Sequence, residues 1–550
     1  MTEATQQQTV ASYLWNRLAG LGATHAFGVP GDYALDLLDV LVASPIRWVG
    51  TCNELNAGYA ADGYARMNGI GVAVVTYGVG GYSVLNAAVG ADAEAVPLVV
   101  VSGAPASARR RSGAMVHHLA AGYTQQLDVY GRCTAAAVLL DDPETAADEI
   151  ERVLHLCVTE KRPVYLEVPL DIVHTPCSPH KRRVNPAPAP DPQALAECVA
   201  EAVELLDAAQ RPLVLAGLEV PRFGLSTDVL RLVEALELPF ATMVSSKSSL
   251  PELHPQFVGI YQGAWSRPEV TAQVEESDGL LALGVWMTDI DSGGFSAHLP
   301  ERKTIRAGRA GVRIGYHSYP GVKLRDLVLA LTTAARPREY LASHPARTFA
   351  PAAPFVAEAG AKLTSKRFWE RIGQFLTDDT PVVVDPGDAF CAAPDLHVAE
   401  AENFLVQPYY ASIGWAVPAA LGVALARPGK RPVVLTGDGA FQMTAQELST
   451  HVRMGTAPVV VVLNNDGYLI ERLLHEDGPY NDIQPWRYHA LPAVFGEGAI
   501  GIKATTEREL EAALETAERE TKSLVLIEAC FDRLDASDAL KRLAAGLRKK

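Results

Sequence analysis

Residues 433–471 read VVLTGDGAFQMTAQELSTHVRMGTAPVVVVLNNDGYLIE. An apolar run from Val433 to Thr436 stops at Gly437-Asp438-Gly439, a helical pattern follows, and a second apolar run delivers Asn464-Asn465-Asp466-Gly467. Strand, helix, strand in that order is the repeating unit of a parallel sheet. Ligands of open parallel sheets sit beyond the carboxyl ends of the strands, and Asp438 and Asn465 arrive there together. Their oxygens, with a backbone carbonyl from the Gly467 turn, are hard ligands suited to Mg2+, which also takes phosphate oxygens. Gly439 and its neighbour let the backbone approach a diphosphate, and a helix from about Phe441 offers it free N–H groups. Asp-Gly and Asn-Asp-Gly are each common turn chemistry. The weight lies in the pair, aimed at one sheet edge.

The same alternation extends along the whole chain. THAFGVP, IRWVGTC, GVAVVTYG, PLVVVSGAP and PVYLEVP come first, then RPLVLAG, PFATMV, GLLALGV and KTIRAG, then TPVVVDPG, RPVVLTGDG, APVVVVLNN and SLVLIEA. Two Pro-rich stretches, 175–193 and 335–366, read as linkers. The fold class expected is α/β, with three doubly wound parallel-sheet domains at 1–174, 194–334 and 367–550. The first and third look like variants of one architecture. A chain of 550 residues is too long for one core. Its formal net charge of -16 argues against a nucleic-acid partner. No apolar run reaches the ~18 residues of a membrane span, and MTEATQQQTV has neither the basic nor the apolar region of a secretory signal. Seven scattered cysteines without a C-x-x-C pair fit reduced thiols, so a cytoplasmic location is expected.

Two further places invite a chemical reading. TCNELNAGYAADGYAR (51–66) opens a run of small residues with one acid, Glu54. An acid in a first turn favours the helix dipole by ~0.3–1 kcal/mol and needs no other role. His117-His118 is adjacent, a spacing that rarely chelates a metal, and such pairs are usually incidental.

Together these segments resemble the thiamin diphosphate-dependent 2-oxo acid decarboxylases of the pyruvate, indolepyruvate and phenylpyruvate type. GDG followed by NN, with 24 residues between Gly439 and Asn464, matches the family's cofactor motif. AFGVPGDYALDLLDVL, CNELNAGYAADGYAR, MVHHL, LPELHPQFVGIYQGAWS and MTDIDSGGFSAHL extend the resemblance over residues 9–535. It implies a pyrimidine-binding domain, a middle domain and a diphosphate-binding domain, with thiamin diphosphate and Mg2+ as cofactors. Glu54 would hydrogen-bond N1' of the aminopyrimidine ring and exchange a proton with it. Asp32, His117, His118 and Glu471 would form the proton-handling group at the substrate, a task suited to imidazole. Cofactor contacts are implied for Pro30, Gly31, Thr76, Asn86, Pro386, Ala411, Ser412, Ile413, Ala440, Tyr468, Leu469 and Ile470, beside Asp438, Gly439, Asn465 and Gly467. Ile413 matches the large apolar residue that holds the cofactor bent.

The chain departs from the family in places. Asp385-Pro386 stands where Glu-Thr is expected, which puts a hydroxyl contact in doubt, and GVGGYS (78–83) replaces the more usual GVGELS. Phe390 and Ile290 are smaller than the Trp and Tyr of bacterial pyruvate enzymes, and Ile470 and Leu474 would line the same space. Medium to bulky 2-oxo acids are therefore expected as substrates, beside small ones. A carboligase or lyase of the same superfamily (acetolactate synthase-like or benzaldehyde lyase-like) is the alternative, and a silent binding protein on this fold a weaker one. The resemblance also implies self-association as a dimer or tetramer, with each cofactor shared between subunits.

Overall fold

The computed structural model describes residues 8–178, 180, 189–337, 353–392, 394 and 396–547. The Pro-rich cores of both expected linkers, within 181–188 and 338–352, lie outside the described residues. Short β-branched runs become strands buried along their whole length, as parallel sheets covered by helices require. Among the described residues they form three sheets.

The first contains β1 (His25–Gly28), β2 (Arg47–Gly50), β3 (Gly71–Val75), β4 (Leu98–Ala104), β5 (Ala136–Leu139) and β6 (Val164–Pro169). All pair in parallel, in the order β2-β1-β3-β4-β6-β5. The middle sheet has β7 (Pro212–Ala216), β8 (Phe240–Met243), β9 (Phe257–Tyr261), β10 (Gly279–Leu283), β11 (Thr304–Gly308), β12 (Gly311–Ile314) and β13 (His317–Tyr319). Its order is β13-β12-β11-β10-β7-β8-β9. Here the expectation of an all-parallel sheet needs amending, because β12 and β13 run antiparallel at one edge; the two-residue turn after Gly308 leaves no room for a crossover helix.

The third sheet has β14 (Val382–Val384), β15 (Phe404–Leu405), β16 (Val433–Gly437), β17 (Val459–Asn464), β18 (Ile500–Ala504) and β19 (Val525–Cys530). Its order, β15-β14-β16-β17-β19-β18, repeats that of the first sheet strand for strand. The likeness of the first and third blocks is thus a shared topology.

What joins these two domains is a pair of helices, Glu54–Asn68 and Ala416–Ala426. The second is apolar all round and buried from Ala416 to Val423, as befits a helix enclosed on every side. Its Pro418 sits in the first turn, where no intrahelical N–H is lost. The backbones touch. A Cβ built on Gly63 would lie 2.3 Å from the Ala419 carbonyl oxygen, and one on Gly422 only 1.9 Å from that of Ala60. Small residues behind Glu54 therefore serve close helix packing. Among the described residues no helix is long and apolar enough to cross a membrane, and all seven cysteines are free.

Candidate active site

Asp438 follows the last residue of β16 and begins the helix Asp438–Thr444, three residues earlier than the sequence suggested. Its Oδ1 accepts from the Gly439 N–H at 2.8 Å, and its Oδ2 from the N–H groups of Gly467 at 3.0 Å and Asn465 at 3.2 Å. The carboxyl thus staples the two strand ends together. Only 1% of Asp438 is exposed, and that burial pushes its pKa up to about 6 against the pull of the three N–H groups. Asn465 is buried beside it, and its Oδ1 is shut from solvent with no hydrogen-bond partner among the described residues. A buried carboxylate next to an orphaned amide oxygen is a donor set short of a cation. The residues present therefore fit Mg2+. Gly467 has φ +132°, and a side chain there would strike the Asn481 carbonyl oxygen at 2.1 Å. Beside it, the space a Gly439 side chain would fill is taken by the Tyr468 ring, at 2.5 Å. Ala440 and Leu469 are buried, Tyr468 and Ile470 half-buried.

On the first sheet, Glu54 opens its helix immediately after the Asn53 cap, whose Oδ1 accepts from the Asn56 N–H at 2.8 Å. Glu54 is half-buried. Its Oε1 and the Thr76 methyl flank Gly80, at 3.4 and 3.2 Å from where a Cβ would be. Thr76 Oγ1 is buried with no hydrogen-bond partner among the described residues. Gly31 presses on Thr76, where a Cβ would lie 2.5 Å from the threonine Cβ, and Pro30 is exposed alongside. Pro30, Gly31, Glu54 and Thr76 thus share one edge of the sheet.

Asp32, His117 and His118 converge, with their ligand-type atoms all within 4.8 Å of one another. His117 Nε2 is 2.5 Å from Asp32 Oδ2. Consecutive side chains meet because His118 takes φ +65°, which sets the two imidazoles 4.7 Å apart at 78°. Gly78 makes the kink possible, since a Cβ there would lie 2.2 Å from the His118 carbonyl oxygen. Tyr33 stacks on His117 at 4.8 Å and meets His118 edge-on at 6.1 Å. Glu471 stands apart: it is exposed on the helix Leu469–Leu474, and no hydrogen bond among the described residues joins it to the other three.

Asn86 and Ser412 meet across the domain boundary. Asn86 Nδ2 donates to Tyr59 Oη at 2.8 Å and to Ser412 Oγ at 3.3 Å, while Tyr410 donates to Asn86 Oδ1 at 2.8 Å. Ala411 takes φ +55° and is exposed, and Ile413 is half-buried. Asp385 holds this loop from below. It is fully buried, accepts from Thr436 Oγ1 at 2.6 Å and the Ala416 N–H at 3.0 Å, and so binds β14, β16 and the Ala416 helix into one corner. Pro386 beside it is half-buried and offers no hydroxyl.

Ile290, Ile470 and Leu474 pack together against Trp265, Leu469, Leu540 and Leu543. Phe390 lines a small cavity that shares Trp265 and Leu543 with them. The C-terminal helix Asp538–Leu547 closes over this group, and Ser537 at its start donates its N–H to Asp388 Oδ2 at 3.1 Å.

The sequence pattern does not mark Tyr33 or Arg472, and it marks Asp385 only as a departure from the family. Tyr33 lies inside the GVPGDY motif already quoted for Asp32, so its aromatic ring was the available signal. Arg472 is buried and clamps the 465–467 turn, donating to the carbonyls of Asn465 at 3.0 Å and Asp466 at 2.6 Å. On a short helix it reads as surface charge.

Three family models match. The description "Thiamine pyrophosphate enzyme, N-terminal TPP binding domain" covers residues 8–130, the central domain 199–332, and the C-terminal TPP binding domain 385–529. The chain belongs to the thiamin diphosphate-dependent 2-oxo acid decarboxylase family. Relatives named alpha-keto-acid decarboxylase include one from Mycolicibacterium paratuberculosis, 38% identical over 540 residues, covering 97% of this chain and 96% of that protein. Another, from Mycobacterium avium, is 39% identical over 542 residues with the same coverage. A third, from Mycobacterium tuberculosis, is 38% identical over 545 residues, 98% of this chain and 97% of the relative.

Proposed function

We propose that this enzyme converts a 2-oxo acid to an aldehyde and CO2 without oxidation, using thiamin diphosphate anchored through Mg2+. Bound thiamin diphosphate supplies the nucleophilic carbon and the electron sink that decarboxylation needs. Asp438, Asn465 and the Gly467 carbonyl would hold the metal, and the N–H groups that open the Asp438 helix would bind the diphosphate. Glu54 exchanges a proton with the pyrimidine ring nitrogen. Ile413 shapes the cofactor's fold, while Thr76, Asn86 and Ser412 offer hydroxyl and amide contacts.

Asp32, His117 and His118 hold and deliver the proton that replaces the lost carboxylate. Their convergence, with a carboxylate orienting one imidazole, is the observation that carries the reading. It favours decarboxylation with protonation over carboligation, because the latter must keep that proton away. Glu471 completes the group from a second copy, consistent with its exposure and its separation from the other three within one chain; a dimer is the minimal unit and a tetramer its doubling.

Ile290, Phe390, Ile470 and Leu474 bound a pocket that is aliphatic apart from Phe390 and the buried Trp265, which suits branched-chain and aromatic 2-oxo acids as well as pyruvate. The test is kcat/KM over pyruvate, 2-oxoisovalerate, 4-methyl-2-oxopentanoate, phenylpyruvate and indolepyruvate, with aldehyde quantified with and without an added aldehyde acceptor. Stoichiometric aldehyde and CO2 support the proposal, and a carbon–carbon coupled main product refutes it.

A further inference from the structure

Residues 113–124, which carry His117 and His118, form neither helix nor strand. Two short helices flank them, Ser107–Ser112 and Gln125–Cys133. A stretch without a backbone ladder keeps one shape only where side chains tie it down.

The strand beneath supplies an unusual anchor. Glu167 lies on β6, a strand buried along its whole length, and is itself fully buried. A carboxylate inside a sheet is costly unless its oxygens are paired. Both are paired here. Oε1 accepts from Arg110 Nη1 at 2.5 Å, and Oε2 from Tyr165 Oη at 2.9 Å. Each partner leads to a different end of the histidine segment.

The first arm runs through the Ser107–Ser112 helix. The Arg110 guanidinium lies over the Tyr123 ring at 5.4 Å, and Tyr123 Oη donates to the Ala114 carbonyl at 2.7 Å. That bond closes positions 114–123 into a loop. The second arm runs through the Gln125–Cys133 helix. Gln126 Nε2 donates to Tyr165 Oη at 2.5 Å, and its Oε1 accepts from the Gly78 N–H at 2.8 Å. Gly78 in turn packs its backbone directly on the His118 carbonyl. Gln126 and Tyr165 are buried, so water does not compete for these bonds.

We propose that Glu167 is a positioning residue for the His117–His118 pair, holding the segment that carries it from both ends through Arg110 and Gln126. The proposal rests on the reading that these imidazoles handle the proton, and adds what keeps them in place. Glu167 is sealed inside the sheet and acts only through other residues.

The experiment uses the full chain loaded with thiamin diphosphate and Mg2+. Glu167→Gln keeps the volume and removes the charge. Tyr123→Phe removes one hydroxyl from a half-buried ring at the end of the first arm, and it decides alone if Glu167→Gln does not fold. The kcat for CO2 release should fall at least about tenfold in Glu167→Gln, which loses a charge-assisted pair, and about two- to thirteenfold in Tyr123→Phe, which loses one hydrogen bond. KM for the 2-oxo acid should stay within about twofold in both, since neither residue binds substrate. The imidazole limb of the kcat–pH profile should shift, and the 113–124 amides should exchange with deuterium faster than in wild type. Arg110→Met should match Glu167→Gln, Arg110→Lys should recover most of the loss, and the Arg110→Met/Glu167→Gln double variant should be no worse than the poorer single, because both cut one link. The inference is overturned if kcat and its pH profile stay as in wild type, if KM rises as far as kcat falls, or if the 113–124 amides exchange no faster. His118→Ala is the reference. Unchanged CO2 release in it removes the imidazoles from the reaction and overturns both readings, whereas a slowed His118→Ala beside unimpaired anchor variants overturns the anchor alone.

Discussion

The Tyr33 phenol ring lies flat against the His117 imidazole, 4.8 Å between centroids and 19° from parallel. That contact fixes the plane of the ring whose Nε2 meets Asp32. Tyr33→Leu keeps the apolar volume and removes the aromatic face. A stacking contribution of ~0.5–1.5 kcal/mol corresponds to a fall in kcat of about two- to thirteenfold. KM for the 2-oxo acid should change little, because Tyr33 positions the imidazole and need not touch substrate. Steady-state kinetics across pH will check this, and a profile superimposable on wild type would remove Tyr33 from the site.

Glu54 gives a sharper case. Glu54→Gln preserves size and one hydrogen-bonding oxygen but cannot exchange a proton. Thiamin diphosphate affinity, followed by fluorescence titration, should stay within about threefold, while turnover falls by about 10²–10⁴, the usual scale of acid–base catalysis. A variant with near-normal turnover would sink the role assigned to the carboxyl.

The meeting of Asp438 with the 465–467 turn was legible in the sequence because its pattern is local: two strand ends, two glycines and two oxygen donors at fixed offsets from apolar runs. Glu54 was legible as a helix start for the same reason. The partners of those residues were not. Tyr33 reaches His117 across 84 positions, Asp385 reaches Thr436 across 51, and neither pairing leaves a periodic trace. Arg472 lies close to its targets but faces inward only because the 465–467 turn folds back over it. The antiparallel edge of the middle sheet was missed for a different reason, since KTIRAGRAGVRI holds two short strands and a Gly-containing turn that read as one strand and a loop.

The helix pair beneath the site makes a packing prediction. Gly422→Ala would place a methyl 1.9 Å from the Ala60 carbonyl oxygen, and both atoms belong to backbones that cannot rotate away. Overpacking of this kind costs about 1–3 kcal/mol. Because Asn86, Tyr59 and Ser412 meet across the same boundary, the thermal midpoint and thiamin diphosphate affinity should fall together. Loss of one without the other, measured by scanning fluorimetry with and without cofactor, would show that the helices and the site are uncoupled.

Asp385 predicts a pH dependence. Burial raises its carboxyl from 3.8 to about 6, against hydrogen bonds from Thr436 and the N–H groups of residues 414–416. The folded value lies above the unfolded one, so between about pH 4 and pH 6 the folded protein holds a proton that the unfolded chain has released. The stabilisation from that proton is complete below about pH 4 and is lost as pH rises through about 6. Asp385→Asn cannot titrate, so wild type should lose stability relative to the variant across this window, by up to about 3 kcal/mol. Urea unfolding of both proteins at several pH values supplies the comparison. Parallel stability curves between about pH 4 and pH 6 would contradict the raised value.

The last prediction concerns substrate choice. Ile290 packs beside Ile470 and Leu474 under the C-terminal helix, and it is half-buried, so the space in front of it can be filled without displacing the core. Ile290→Tyr adds a ring at that wall. Pyruvate, with only a methyl group to place, should keep its kcat/KM within about twofold. Branched-chain and aromatic 2-oxo acids must push against the ring and should lose about 10- to 200-fold, the ~1–3 kcal/mol that one misfitting apolar group commands. The reverse change at Leu474, to Ala, should relax the same wall and favour the longer acids. Competition assays with mixed substrates read the ratio directly. If Ile290→Tyr lowers activity equally for pyruvate and phenylpyruvate, the residue lies away from the substrate's side chain, and the pocket must be sought on another face of the Trp265 cluster.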